Sequence, residues 1–172
     1  MNEIIHSLLN RRSVRKYEDR QVPDELLDQV LSAGLYAPTG MNRQNVVMVA
    51  VRDRETRDLL SRLNAAVMGA EHDPFYGAPC VIVVLGDEET YPIVENGSLV
   101  LGNLMNAAHA LGLGSCWIHR AKQVFDSPEG KELLKKWGLP ENLRGIGNCI
   151  LGYPMENPEA KPRLEGRIVK IG

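Results

Sequence analysis

Apolar residues recur at helical spacing from the start of the chain, where Ile4, Ile5, Leu8 and Leu9 fall on one face and predict a helix running directly into Arg11. A second stripe, Leu26, Leu27, Val30, Leu31 and Leu35, follows Pro23, Asp24 and Glu25, residues suited to a helix start, and must stop before Pro38. The period then shortens. Residues 46–51 are a brief β-branched run, and Asp53 stands where it can cap a helix carrying Leu59, Leu60, Leu63 and Val67. Residues 80–85 are apolar without alternation, the mark of a strand buried on both faces. The longest helical pattern covers residues 92–113, with Ile93, Val100, Leu104 and Ala108 on its stripe and Gly97, Gly102 and Ala107 as small residues suited to close packing, against the rest of the chain or a symmetric copy. Residues 112–120 end it with glycines and begin another short strand. Ser127, Pro128 and Glu129 then open a helix that Lys135, Lys136 and Gly138 close, and residues 145–151 read as the last internal strand. Three prolines in residues 154–162 predict an extended arm, and its β-favouring end, Ile168 to Ile171, is expected to lie against a second subunit.

Three polar segments interrupt this pattern. Residues 11–17, Arg-Arg-Ser-Val-Arg-Lys-Tyr, concentrate cations around a hydroxyl, a set that suits a phosphate monoester because guanidinium groups give charge-assisted, bidentate hydrogen bonds. A run of that length also reads as a solvated turn. Residues 37–44, Ala-Pro-Thr-Gly-Met-Asn-Arg-Gln, offer amides and hydroxyls that match the edge of a heteroaromatic ring or an ordinary polar turn. Residues 69–79, with Gly69, Pro74, Gly77 and Pro79, form a loop.

Composition narrows what these segments serve. At 172 residues, 44% hydrophobic and 24% charged, the chain is expected to be one globular domain spanning residues 1–172. The net charge of −2 argues against a nucleic-acid partner and makes the basic segment a local feature suited to a small anion. Cys80, Cys116 and Cys149 have no metal or disulfide spacing, and no apolar run is long enough for a bilayer, so no membrane partner and a cytoplasmic setting are expected.

The motifs at residues 11–15, 37–44, 73–79 (Asp-Pro-Phe-Tyr-Gly-Ala-Pro), 112–118 (Gly-Leu-Gly-Ser-Cys-Trp-Ile) and 161–163 (Lys-Pro-Arg) stand in an order and at gaps that resemble the FMN-dependent nitroreductases in their short bacterial form, over the whole chain. The resemblance implies an α+β fold, a mostly antiparallel central sheet flanked by helices, in an interlocked homodimer with an extended C-terminal arm. It implies FMN in two interface clefts: Arg11 and Ser13 on the phosphate with Arg12 beside them, and Arg15 towards the pyrimidine edge. Pro38, Thr39, Gly40, Asn42 and Gln44 would meet the flavin across the interface. Trp117, Ile118 and His119 would lie over the ring and give a hydrogen bond near N5, and Lys161 and Arg163 would return to the phosphate. Asn45-Val46 and His119 depart from the family's usual residues.

The implied activity is NADH- or NADPH-driven reduction of nitroaromatics, quinones or other small electron-poor acceptors by ping-pong hydride transfer through flavin N5, with the chemistry carried by FMN and no catalytic side chain or metal. Reductive dehalogenation by a specialised relative and flavin binding without turnover, as in a sensor, are the alternatives.

Overall fold

The computed structural model describes Met1–Gly172 as six α-helices and one four-stranded sheet. The strands, β1 (Val46–Val51), β2 (Cys80–Asp87), β3 (Gly114–Ile118) and β4 (Leu143–Gly152), lie in the order β1-β2-β4-β3 and are antiparallel throughout. No helix is long and apolar enough to cross a membrane.

The uninterrupted apolar run of β2 has a direct cause: both faces of the sheet are covered. Val81, Val83 and Leu85 enter one core with Leu60, Phe75, Phe125 and Leu134, while Cys80, Ile82 and Val84 enter a second with Val30, Val100, Leu104 and Ala108. The first core is closed by α3 (Arg54–Met68), α5 (Ala121–Asp126) and α6 (Pro128–Lys136), the second by α2 (Asp24–Leu35) and α4 (Ile93–Ala110). All three cysteines are buried free thiols, and burial pushes the Cys80 thiol up to about 12.

Helix starts follow the sequence. Asn2 caps α1 (Glu3–Asn10), Asp53 accepts from Thr56 N–H at 2.8 Å ahead of α3, and Ser127 accepts from Gly130 N–H at 3.1 Å ahead of α6. One departure stands out, and two apolar segments are left uncovered by this chain. Helix α5 was not legible: its buried Ala121, Val124 and Phe125 have helical spacing, but six residues show too little period to separate from the strand before them. The stripe of α1 is uncovered, with Ile4 69% exposed and Leu9 56%. Residues 168–171 form no strand within this chain, and the arm beyond Pro158 is exposed throughout.

Two contacts set the geometry around β3. The basic segment after α1 extends the sheet: Ser13 bridges Ser115 in parallel, Val14 N–H donates to the Ser115 carbonyl at 3.0 Å, and Tyr17 bridges Pro154. The loop before β2 is gathered on Asp73, whose carboxylate accepts from Arg57 Nη2 at 2.5 Å, from Ser61, from Phe75 N–H at 2.8 Å and from Gly77 N–H at 2.7 Å. Burial opposes its ionisation, yet these donors outweigh burial and hold the carboxyl below its ordinary value of 3.8.

Glycine at 130 is required by packing. A Cβ there would strike the Val124 carbonyl and lie 2.7 Å from Phe125 Cα, backbone atoms that cannot rotate aside. Alanine gains about 1 kcal/mol of helix propensity, but overpacking costs about 1–3 kcal/mol and wins. Gly130→Ala is therefore expected to lower the urea midpoint; an unchanged or raised midpoint would contradict the packing of α5 on α6. Asp73→Asn is expected to cost on the order of 1–3 kcal/mol at pH 7. Because the folded carboxyl is the more acidic, this contribution is complete above the ordinary value of 3.8 and is lost as pH falls through the lower folded value, so urea melts of the two proteins should converge in acid.

Candidate functional site

The basic segment is presented by the exit of α1. Arg12 Nη1 donates to the carbonyls of Leu9 and Arg11, each at 2.8 Å, neutralising the helix end where carbonyls lack partners. That leaves a surplus of donors. Arg11 Nη1, Arg12 Nε and Ser115 Oγ are all buried and bonded to nothing in the chain. A buried polar atom without a partner costs about 1–3 kcal/mol, more when charged, so such a group stands ready for an acceptor from outside the chain.

Extended backbone puts Val14 in the core and leaves Ser13 partly exposed. Arg12, Ser115 and His109 line a cavity of about 510 Å³ with Glu156. Burial, then the cations of Arg11 and Arg12, lowers the proton affinity of His109, so at neutral pH it adds no further charge. Arg15 is exposed, with its guanidinium carbon 5.8 Å from the centre of the Tyr76 ring, and its backbone N–H donates to Glu156 at 2.5 Å. Tyr17, beneath the segment, donates to the Val14 carbonyl at 2.6 Å, and burial raises its phenol so that it stays neutral.

The second group is the loop 37–44, of which residues 40–42 form one short 3₁₀ turn. Met41, Asn42 and Gln44 have φ of 55°, 53° and 51°, a left-handed conformation unfavourable for side-chain-bearing residues, and internal bonds hold it. Gln44 N–H donates to Thr39 Oγ1 at 3.0 Å, and Gln44 Nε2 donates to Asn42 Oδ1 at 3.1 Å. The outside support is Asn96 of α4, 2% exposed: its Oδ1 accepts from Gly40 N–H at 2.9 Å and its Nδ2 donates to Asn45 Oδ1 at 3.2 Å. Asn96 was missed from sequence, although a carboxamide one turn from Val100 on an apolar stripe is a signal that could have found it. Pro38, Thr39, Asn42 and Gln44 border a second cavity of about 580 Å³ with Leu35, Tyr36, Met48 and Val100.

The third group ends β3, an edge strand. Trp117 is 47% exposed, lies against Gly147, and has its ring centre 5.4 Å from that of His119. Ile118 is buried, with its carbonyl accepting from Asn148 Nδ2 at 3.4 Å, and His119 is exposed. Ser115 and residues 117–119 share one strand and its exit, so Trp117 stands about 7 Å and His119 about 13 Å from Ser115 along the chain at about 3.3 Å per residue. The cavity bordered by loop 37–44 includes no residue of the basic segment and not Trp117. Lys161 and Arg163 lie on the exposed arm, where they form no hydrogen bond or ion pair.

Comparison with known proteins identifies the family. The chain is 30% identical to an FMN reductase (NAD(P)H) of Bacillus subtilis strain 168 over an alignment 181 positions long, covering 95% of this chain and 71% of that protein. Its fold matches a nitroreductase with bound FMN from Bacteroides fragilis NCTC 9343 at a TM-score of 0.92 and 28% identity over 100% of both chains. A nitroreductase with bound FMN from Desulfitobacterium hafniense DCB-2 matches at a TM-score of 0.90 and 26% identity, again over 100% of both. The family model described as the nitroreductase family matches residues 8–74 and 67–153. By sequence along most of its length and by fold throughout, the chain belongs to the nitroreductase family.

Proposed function

We propose that this protein is an FMN-dependent NAD(P)H oxidoreductase that works as a homodimer and reduces nitroaromatics, quinones or similar electron-poor acceptors. The observation that carries the reading is the set of buried, unpaired donors, Arg11 Nη1 and Arg12 Nε on the basic segment and Ser115 Oγ on β3, the strand that also carries Trp117. These donors fit a phosphate monoester, and an exposed indole a few residues away fits an aromatic ring system joined to that phosphate by a short linker.

On this reading Arg11 and Ser13 hold the phosphate, with Arg12 and Ser115 beside it, and Lys161 and Arg163 are delivered to the same charge by the arm. Arg15 places a cation at the pyrimidine edge, where it favours negative charge in the ring. Trp117, Ile118 and His119 support the ring, and the preorganised loop of Pro38, Thr39, Gly40, Asn42 and Gln44 is contributed by the partner subunit. FMN, when bound, supplies the acceptance and release of hydride. The chain's own residues bind, orient and shield, and no side-chain acid, base or nucleophile is required of them.

The dimer follows from what one chain leaves uncovered. Ile4, Ile5, Leu8 and Leu9 on α1, and Leu164, Ile168, Val169 and Ile171 on the arm, are exposed apolar side chains that a second copy would bury. The separation of loop 37–44 from the basic segment has the same explanation, a site completed across an interface.

The purified protein is expected to be yellow, to release FMN on denaturation, to bleach anaerobically with NADH or NADPH, and to recover colour on adding a nitroaromatic or a quinone. A colourless protein that cannot be reconstituted with FMN would overturn the reading, and colour without bleaching would indicate flavin binding without turnover. Arg11→Ala is expected to weaken FMN about 10- to 100-fold by titration, the loss of one charge-assisted bond of about 1.5–3 kcal/mol. Sedimentation is expected to give a dimer, and Ile4→Glu with Leu8→Glu to shift it towards monomer with loss of bound FMN.

A further inference from the structure

The turn that takes the chain from β3 into α5 is held by a side chain that the reading above does not use. Asn64, on the inner face of α3, is 0% exposed. Its Nδ2 donates to the His119 carbonyl at 2.8 Å, and its Oδ1 accepts from Arg120 Nε at 2.9 Å. A carboxamide is suited to this because it carries a donor and an acceptor on one rigid group. Between them the two bonds clamp consecutive residues at a strained point, for Arg120 has a φ of 76°, a conformation that a side-chain-bearing residue keeps only when its surroundings enforce it.

The clamp also has a direction. The 119–120 peptide is trans, and in a planar trans peptide the carbonyl and the N–H point opposite ways. The His119 carbonyl points inward to Asn64, so the Arg120 N–H points away from α3. That N–H donates to no group of the chain, and it directly follows Trp117, Ile118 and His119.

We propose that Asn64 is a positioning residue for the redox site: by anchoring the His119 carbonyl, it aims the Arg120 N–H at an acceptor atom of the bound flavin ring. The proposal rests on the assignment of residues 117–119 to the flavin. It locates the control of that hydrogen bond in α3, a helix carrying none of the motif residues. It also explains why a buried asparagine is kept beside an arginine in a left-handed conformation, where glycine would relieve the strain.

The test follows the backbone amide of residue 120 by ¹⁵N NMR in the full-length protein as FMN is added, beside stopped-flow reduction of the bound flavin by NADH or NADPH. In the native protein the Arg120 amide proton is expected to move downfield and to be protected from exchange once FMN binds. Arg120→Gly keeps the Asn64–His119 bond and tolerates the backbone angle, so its amide should move likewise. Asn64→Asp keeps the volume and the acceptor for Arg120 but loses the amide donor to the carbonyl. It should bind FMN with little or no amide shift and reduce it on the order of tenfold more slowly, as expected when a reacting group is misplaced. A full shift in Asn64→Asp would overturn the proposal, as would an unmoved native amide in a protein whose absorption reports bound FMN. Should Asn64→Asp not fold, Asn64→Ala, which removes both bonds, takes its place with the same expected loss of the amide shift, and a full shift there would overturn the proposal. A native protein that takes up no FMN would instead remove the flavin assignment itself.

Discussion

Burial of both faces of the four-stranded sheet is the constraint from which the rest of the molecule follows. Once helices cover each face, the central strands can carry only apolar side chains or polar ones fully satisfied within the chain, and β2 accordingly runs through Val81, Ile82, Val83, Val84 and Leu85 without a polar interruption. Ligand chemistry is displaced to the margins: the β3 edge, the segment that extends it, and the loop beside α4. The basic segment gains its position by joining the sheet through the Val14 to Ser115 bond, which seats the cations of Arg11 and Arg12 against the start of an edge strand.

Buried or half-buried polar side chains then hold each margin in place. Asn96 fixes the loop 37–44, Asn64 fixes the exit of β3, Asn148 supports Ile118, and Asp73 gathers the turn carrying Tyr76 towards Arg15. All but one are carboxamides, which satisfy donor and acceptor together without burying a charge, and the exception is stabilised by an arginine. The residues they hold include several with positive φ, Met41, Asn42, Gln44, Tyr76 and Arg120, so local strain is matched by a dedicated buried support.

This division explains how a family member this small can be organised for a cofactor reaction. The covered core provides stability, the margin carries unpaired buried donors, and α1 and the arm present exposed apolar surfaces.

The sequence by itself determined the helices with a full apolar stripe, the doubly buried strand β2, the caps at Asp53 and Ser127, and the concentration of cations at residues 11–16, because period, capping chemistry and charge are local properties of the chain. It carried the family motifs for the same reason. Tertiary structure alone decided that the basic segment pairs with β3, that loop 37–44 borders a separate cavity, and that α5 forms at all, since six residues hold a helix only when Gly130 and Gly145 let neighbouring backbone close on them. It alone revealed what Asn64 and Asn96 hold: the apolar stripe of α4 marks Asn96 as buried, but no local pattern encodes which distant carbonyl or N–H either asparagine meets.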